Sequence, residues 1–181
     1  MPEKITVEVR CHVTDPARSR DLPSRIMDYS KIGGQQHKKK QVKMEQDLKS
    51  KIDQACRTAE EFTKLYYESL DKRRYNYIFQ LISRLYLDTA TLIWNGNGVE
   101  TKDNIQKFWT DLPPSEHSII TLDAQPITGP GITNQLTFLV KVGGQVKFEE
   151  KSSKPFNQTF LITAVGDKWK IVSDCFRALE T

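Results

Sequence analysis

Apolar residues change their spacing along this chain from a helical period to a strand period. In the first half they recur at steps of three and four, at Leu48, Ile52, Ala55, Ala59, Phe62, Tyr66 and Leu70. This spacing predicts an amphipathic helix of about seven turns. A second helix is predicted from about Tyr75 to Leu87. A short third helix, capped by Thr101 or Asp103, should end before Pro113.

The second half of the chain favours strands. Strands are predicted over residues 89–94, 118–127, 135–142 and 145–149, and in a hairpin from Phe156 to Arg177. Asn95-Gly96-Asn97-Gly98 is a strong turn signal after the first of them. Because helices come first and a meander of strands follows, we predict an α+β domain with its helices against one face of a curved antiparallel sheet.

The hairpin from Phe156 to Arg177 presents two apolar faces. A two-residue turn at Gly166-Asp167 puts Val165 opposite Lys168, and strict alternation then divides the side chains. One face would carry Phe156, Gln158, Phe160, Ile162, Trp169, Ile171, Cys175 and Arg177, and the other Leu161, Thr163, Val172, Asp174 and Phe176. Helices can cover only one of these faces. The first has an apolar centre and a polar end, which is typical of an interface, so we expect a partner there.

The N-terminal segment differs in composition from the rest. Residues 1–47 are polar, contain proline and a Gly-Gly pair, and end in a run of lysines, so we predict a disordered basic tail followed by a folded domain over 48–181. The alternation from Ile5 to Val13 leaves a strand as the alternative. The chain has 27 Lys and Arg residues and 23 Asp and Glu residues, of which the tail holds ten basic and seven acidic ones. The folded part therefore has 17 basic and 16 acidic residues and is nearly neutral. That balance argues against a dedicated nucleic-acid surface, and no apolar run is long enough to span a bilayer.

Candidate catalytic residues are few. Asp123, Asp174 and His117 are the candidate catalytic groups, but no second acid, Cys-His pair or metal-ligand cluster accompanies them. We therefore expect no enzymatic activity and no cofactor.

Eight short motifs carry a resemblance that extends over about residues 48–179. They are Asp71-Lys72-Arg73-Arg74, Ser83-Arg84-Leu85-Tyr86, Trp94-Asn95-Gly96-Asn97, Leu112-Pro113, Asp123 with Gln125-Pro126, Val146-Lys147-Phe148, Phe156-Asn157-Gln158 and Ser173-Asp174-Cys175-Phe176-Arg177. In this order they resemble the nuclear transport factor 2-related export proteins, the small subunits of the metazoan mRNA export receptor. The chain departs from that family in its long tail and in about five extra residues between Arg74 and Ser83.

This resemblance implies a cone-shaped nuclear transport factor 2-like fold, a heterodimer with a large nuclear RNA export factor, and shuttling between nucleus and cytoplasm through FG-repeat nucleoporins. It implies face-to-face packing of two sheets, with Asp123 and Arg177 each opposite a charge of the large subunit. The candidate partner-binding residues are Asp123, Gln125, Gln158, Phe160, Ile162, Cys175 and Arg177. The alternatives are a homodimer that carries Ran-GDP and, less favoured, an isomerase or dehydratase of the same fold.

Overall fold

The computed structural model of the protein describes residues 34–71, 82–128, 135–149 and 151–179. In chain order the elements are α1 (Gly34–Asp71), β1 (Tyr86–Trp94), β2 (Asn97–Glu100), α2 (Lys102–Asp111), β3 (Ser115–Pro126), β4 (Thr137–Phe148), β5 (Lys154–Val165) and β6 (Lys168–Ala178). The alternating segment from Ile5 to Val13 lies outside the described residues. No described helix is both long enough and apolar enough to cross a membrane.

The long first helix was correctly predicted in its core-facing half but begins earlier than expected. Ala55, Ala59, Phe62, Tyr66 and Leu70 are all buried, as their spacing predicts. The helix starts at Gly34, so residues 34–47 of the predicted tail are helical, and its side chains from residue 40 to residue 51 are exposed. Leu48 is among them, so its predicted inward position is wrong.

Most of the predicted second helix, residues 72–81, lies outside the described residues. Its predicted end at Leu87 is wrong, because Tyr86 already belongs to β1 and lies opposite Ile171 of β6. Among the described residues of this predicted helix, only Ile82 and Ser83 are helical. Pairing with β6 has therefore overridden the local helical spacing.

The six strands form one sheet in the order β2-β1-β6-β5-β4-β3. All neighbours are antiparallel except β1 and β6, which are parallel and so depart from the expected antiparallel sheet. The two strands predicted over 135–142 and 145–149 are a single strand, β4. Gly143 and Gly144 do not end it. They leave room for β3, since a Cβ atom at Gly144 would lie only 2.2 Å from the backbone oxygen of Ser118.

Both predicted hairpin turns are confirmed. Trp94 lies opposite Asn97, and the two residues between them, Asn95 and Gly96, have φ angles of 50° and 91°, as a type I′ turn requires. Val165 lies opposite Lys168 across Gly166 and Asp167. Helix α2 does begin after Thr101, but the Thr101 side chain makes no capping hydrogen bond.

A one-residue bulge in β6 changes the faces of the second hairpin. Ile162 lies opposite Ile171 as predicted, but Leu161 lies opposite Ser173, so Val172 has no partner. Beyond this point the predicted pairs are wrong by one residue. Phe160, Gln158 and Phe156 lie opposite Asp174, Phe176 and Ala178. Because side chains alternate along a strand, the shift moves Cys175 and Arg177 to the other face.

Both helices pack on the same face of the sheet, called here the inner face. Phe62 and Tyr66 of α1 contact Phe160 of β5, with ring centroids 5.2 and 4.8 Å apart. Trp109 of α2 contacts Tyr66 and also Trp94 of β1. The opposite face of the sheet is called the outer face.

Trp94 joins the first hairpin to the core. Its indole is buried and stacks on Phe176 at 3.7 Å with an interplanar angle of 7°, and its other neighbours are Phe108 and Trp109. Replacement of Trp94 by alanine should cost about 3 to 5 kcal/mol of unfolding free energy, because it leaves a cavity among these rings. Urea denaturation measures this cost, and a loss below about 1 kcal/mol would contradict the packing role.

Candidate functional site

The seven candidate partner-binding residues do not share one surface. Gln158, Phe160 and Ile162 are almost completely buried on the inner face, with exposed fractions of 1%, 0% and 0%. Helix α1 covers this part of the sheet, since Phe62 lies against Phe160. These three residues therefore belong to the core, and their assignment to a partner surface is corrected. They were assigned there because strict alternation placed them on one face with Cys175 and Arg177, and the bulge at Val172 puts those two residues on the opposite face.

The other four candidates lie on the outer face. Asp123 and Gln125 of β3 and Cys175 and Arg177 of β6 are exposed, and each is flanked along its strand by more buried residues that point inward. Half-buried or exposed apolar side chains share this face, namely Ile93, Leu139 and Leu161. In the described part of the chain, neither helix packs against it.

Asp123 and Arg177 are too far apart to pair within one chain. Strands β4 and β5 lie between β3 and β6, which separates the two backbones by about 14 Å at roughly 4.8 Å for each strand spacing. Arg177 lies next to the first hairpin turn, where a Cβ atom at Gly96 would be 3.4 Å from its guanidinium. Asp123 lies across from Lys141 of β4. The two charges thus mark opposite sides of the outer face.

The buried carboxylate of Asp174 lies at the centre of a polar network on the inner face. Tyr66 and Tyr86 both donate hydroxyl hydrogen bonds to its Oδ2, at 2.9 and 2.7 Å. The amide of Gln158 donates to Oδ1 at 2.7 Å. Both carboxylate oxygens are therefore satisfied by side chains from α1, β1 and β5, and the side chain is completely buried.

The amide orientation of Gln158 follows from its neighbours. Its Nε2 donates to the Tyr66 hydroxyl at 3.0 Å as well as to Asp174, and its Oε1 accepts a hydrogen bond of 2.7 Å from Tyr67. Tyr66 and Tyr67 are consecutive on α1, so the helix reaches both polar groups of the sheet at once. The network thereby fixes the position of α1 along β5 and β6.

Burial governs the ionisation of this network. It raises the pKa of Asp174 from 3.8 to about 6, although the three donated hydrogen bonds oppose the shift. Burial, and after it the nearby Asp174 carboxylate, also raises the pKa values of the Tyr66 and Tyr86 hydroxyls well above their usual value of 10. Both hydroxyls therefore remain protonated donors near neutral pH.

His117, another sequence candidate, closes the end of the helix. Its ring Nδ1 donates to Oδ1 of Asp71 at 2.7 Å, and its backbone N–H donates to Oδ2 at 2.9 Å. The ring lies against Tyr67 and Phe156. This contact ties the last residue of α1 to β3, which is a structural role.

Sequence reasoning missed the buried network, although a signal was present. Consecutive tyrosines in the apolar stripe of a helix require buried partners for their hydroxyls. In the observed register, Gln158 of β5 and Asp174 of β6 are polar residues whose side chains point towards these tyrosines. The bulge itself had no such signal, so the partners could not be assigned.

Comparison with known proteins identifies the family. The family model described as "Nuclear transport factor 2 (NTF2) domain" matches residues 58–178. The chain is 48% identical over 135 residues to human NTF2-related export protein 2, which covers 72% of this chain and 92% of that protein. The chain belongs to the NTF2-related export proteins. The resemblance given by the eight motifs is thus confirmed.

Solved structures confirm the predicted nuclear transport factor 2-like α+β fold. Nuclear transport factor 2 from Cryptosporidium parvum superposes with a TM-score of 0.58 at 24% identity, over 71% of this chain and 94% of that one. A putative dehydratase of the NTF2-like family from Streptomyces avermitilis superposes with a TM-score of 0.53 at 12% identity, over 66% and 91%. The fold therefore includes enzymes, whereas the closely similar relatives of this NTF2-related chain are export proteins.

Asp174 should make stability depend on pH in a defined direction. Between about pH 4 and 6 the folded state holds a proton on Asp174 that the unfolded state lacks, so unfolding free energy should fall as pH rises through this window. Two pKa units correspond to a loss on the order of 3 kcal/mol. Urea unfolding at several pH values should show this component in the wild type and not in Asp174→Asn.

The exposed Asp123→Asn serves as the matched control and should keep the wild-type dependence on pH. If Asp174→Asn shows the same slope as the wild type, the buried carboxylate does not titrate as described.

Proposed function

We propose that this protein is a non-enzymatic small subunit of an mRNA export receptor and that it heterodimerises with a large nuclear RNA export factor through its outer face. The observation that carries the proposal is the outer face, which neither described helix covers and which has charges at both sides, in a chain 48% identical to a human NTF2-related export protein. The heterodimer would pass through nuclear pores by contact with FG-repeat nucleoporins and would shuttle between nucleus and cytoplasm.

The composition of the outer face supports this partner. Ile93, Leu139 and Leu161 supply a partly exposed apolar centre on three different strands. Such a centre surrounded by polar residues is typical of a stable interface. The domain proposed for this role is residues 48–181, which includes all six strands.

The two outer charges support a partner with its own charges. Asp123 and Arg177 form no ion pair in the described part of the chain, and the strand order prevents their pairing with one another. A sheet packed against the outer face would exclude water from both residues. An opposite charge on the large subunit would then stabilise each of them and fix the orientation of the two sheets.

The buried groups support a non-enzymatic role. A catalytic carboxylate must reach its substrate, but Asp174 is completely buried and accepts hydrogen bonds on both oxygens. Asp174 does not line the groove between α1 and the start of β6, nor the cavity between Asp71, β3 and the end of β4. His117 is held by Asp71.

A homodimer that carries Ran-GDP is the alternative. In such a homodimer, the twofold symmetry would let Asp123 of one copy meet Arg177 of the other across the same outer faces. The mouth of a Ran carrier is expected to be acidic, but the segment from Lys141 to Lys154 mixes both charges with an excess of lysine. The molecular mass of the isolated protein in solution distinguishes the two assemblies.

Reversal of the charge at Arg177 tests the heterodimer directly. Arg177→Glu should abolish co-purification with the co-expressed large subunit, because a buried like-charge contact or unpaired charge costs several kcal/mol. Circular dichroism of the variant should stay unchanged, since the side chain is exposed. A reciprocal reversal on the large subunit should restore binding.

Arg57→Glu provides the matched control, because Arg57 is an exposed arginine on α1, on the helical side of the molecule. This variant should bind the large subunit normally. Normal binding by Arg177→Glu, or its rescue by Asp123→Arg in the same chain, would sink the proposed interface.

A further inference from the structure

A groove lies on the helical side of the molecule, away from the outer face. It has a volume of about 580 Å³ and is formed by one stripe of α1, the two residues before Tyr86, and the start of β6. Its lining includes Glu61, Phe62, Leu65, Arg84, Lys168 and Trp169. This volume falls within the usual range for ligand sites, about 300 to 1,000 Å³.

The floor of the groove is apolar and fixed in place. Phe62 is held from behind by Phe160, and Trp169 stacks on Phe138 at 4.6 Å with an interplanar angle of 25°. Beside them Leu65 is 53% exposed, although Phe62 and Ser69, about one turn before and after it on α1, are buried. An ordered aromatic floor next to an exposed leucine favours an apolar side chain as occupant.

The edge of the groove is basic. Arg84, Lys168 and Lys170 face a single acid, Glu61, among the lining residues. The ammonium of Lys170 donates to the backbone carbonyl of Arg84, which holds this cation at the edge. In the described part of the chain, Arg84 and Lys168 form no ion pair. The groove thus has unneutralised positive charge along one side.

Lys170 is partly buried and lies close to other cations. Partial burial lowers its pKa, and the neighbouring cations Lys102, Lys168 and Arg84 lower it further, while only Asp88 opposes them. Asp88 already pairs with Lys102 at 3.2 Å. An added anion would therefore relieve repulsion among these cations.

We propose that this groove binds a short acidic peptide segment that inserts an aromatic or large aliphatic side chain between Leu65 and Trp169 and places a carboxylate next to Arg84 and Lys168. The apolar floor and the Glu61 carboxylate on the helical wall favour such a peptide over a nucleic-acid strand, whose phosphates would need charge along their whole length. Because the groove and the outer face lie on opposite sides of the sheet, both can be occupied at once.

Peptide display tests the proposal on the full chain. Random twelve-residue peptides selected on the immobilised protein should combine Phe, Trp, Tyr or Leu with Asp or Glu. The strongest is then labelled with fluorescein, and its affinity is measured by fluorescence anisotropy. Lys168→Glu and Leu65→Asp should each weaken binding by about tenfold or more, because one removes the charge partner and the other the apolar contact.

Matched controls separate the groove from general effects. Lys147→Glu changes an exposed lysine on the outer side of β4, and Leu48→Asp changes an exposed leucine of the same helix beyond the groove. Both should bind the peptide as the wild type does. Arg177→Glu should also leave peptide binding unchanged, which distinguishes this groove from the proposed heterodimer surface.

Three results would overturn the inference. The first is that no selected peptide binds, or that binding is equal in both groove variants and the wild type. The second is selection of peptides without acidic residues. The third is that a single-stranded RNA oligonucleotide binds and loses affinity in Lys168→Glu, which would make the groove a polyanion site.

Discussion

The unpaired residue Val172 determines which side chains of β6 face the helices. Before it, Ile171 points into the core opposite Ile162, and after it Asp174 and Phe176 point inward. If β6 kept all its residues but ran on without a bulge, strict alternation from Ile171 would place Cys175 and Arg177 under α1 and Asp174 outside. The division of the sheet into a packed inner face and a polar outer face therefore depends on one bulge.

Because the bulge turns Asp174 inward, its buried carboxylate needs hydrogen-bond donors, and the network supplies them. A buried carboxylate without donors would be strongly destabilising, so its position restricts the residues around it. Tyr66 of α1, Tyr86 of β1 and Gln158 of β5 all donate hydrogen bonds to it, and Tyr67 donates to the amide oxygen of Gln158. Loss of one donor leaves a buried group unsatisfied, which typically costs about 1 to 3 kcal/mol. These directional bonds fix the helix against the sheet in a way that the surrounding aromatic rings do not.

Periodicity was sufficient to predict the elements whose burial is regular. The stripe from Ala55 to Leu70, the Asn95 turn and the Gly166 turn follow from local rules of spacing and backbone conformation. The parallel pairing of β1 with β6 depends on contacts distant in sequence, and so do the continuity of β4 through Gly143 and the register beyond Ile171. For this reason Gln158, Phe160 and Ile162 were placed on one face with Cys175 and Arg177, which the structure puts on the opposite face. The exposed residues Asp123 and Gln125 of β3 share that opposite face with them.

Cys175 reports directly on which side chains of β6 face outward, since it is an exposed free thiol on the outer face next to Arg177. Alkylation of the native protein, with the modified residue located by peptide mass spectrometry, measures its accessibility alone and in complex with the large subunit. Rapid alkylation in the isolated protein and strong protection in the complex are the predicted result. Slow alkylation in the isolated protein would contradict the register set by Val172, and unchanged alkylation in the complex would contradict the outer face as the partner surface.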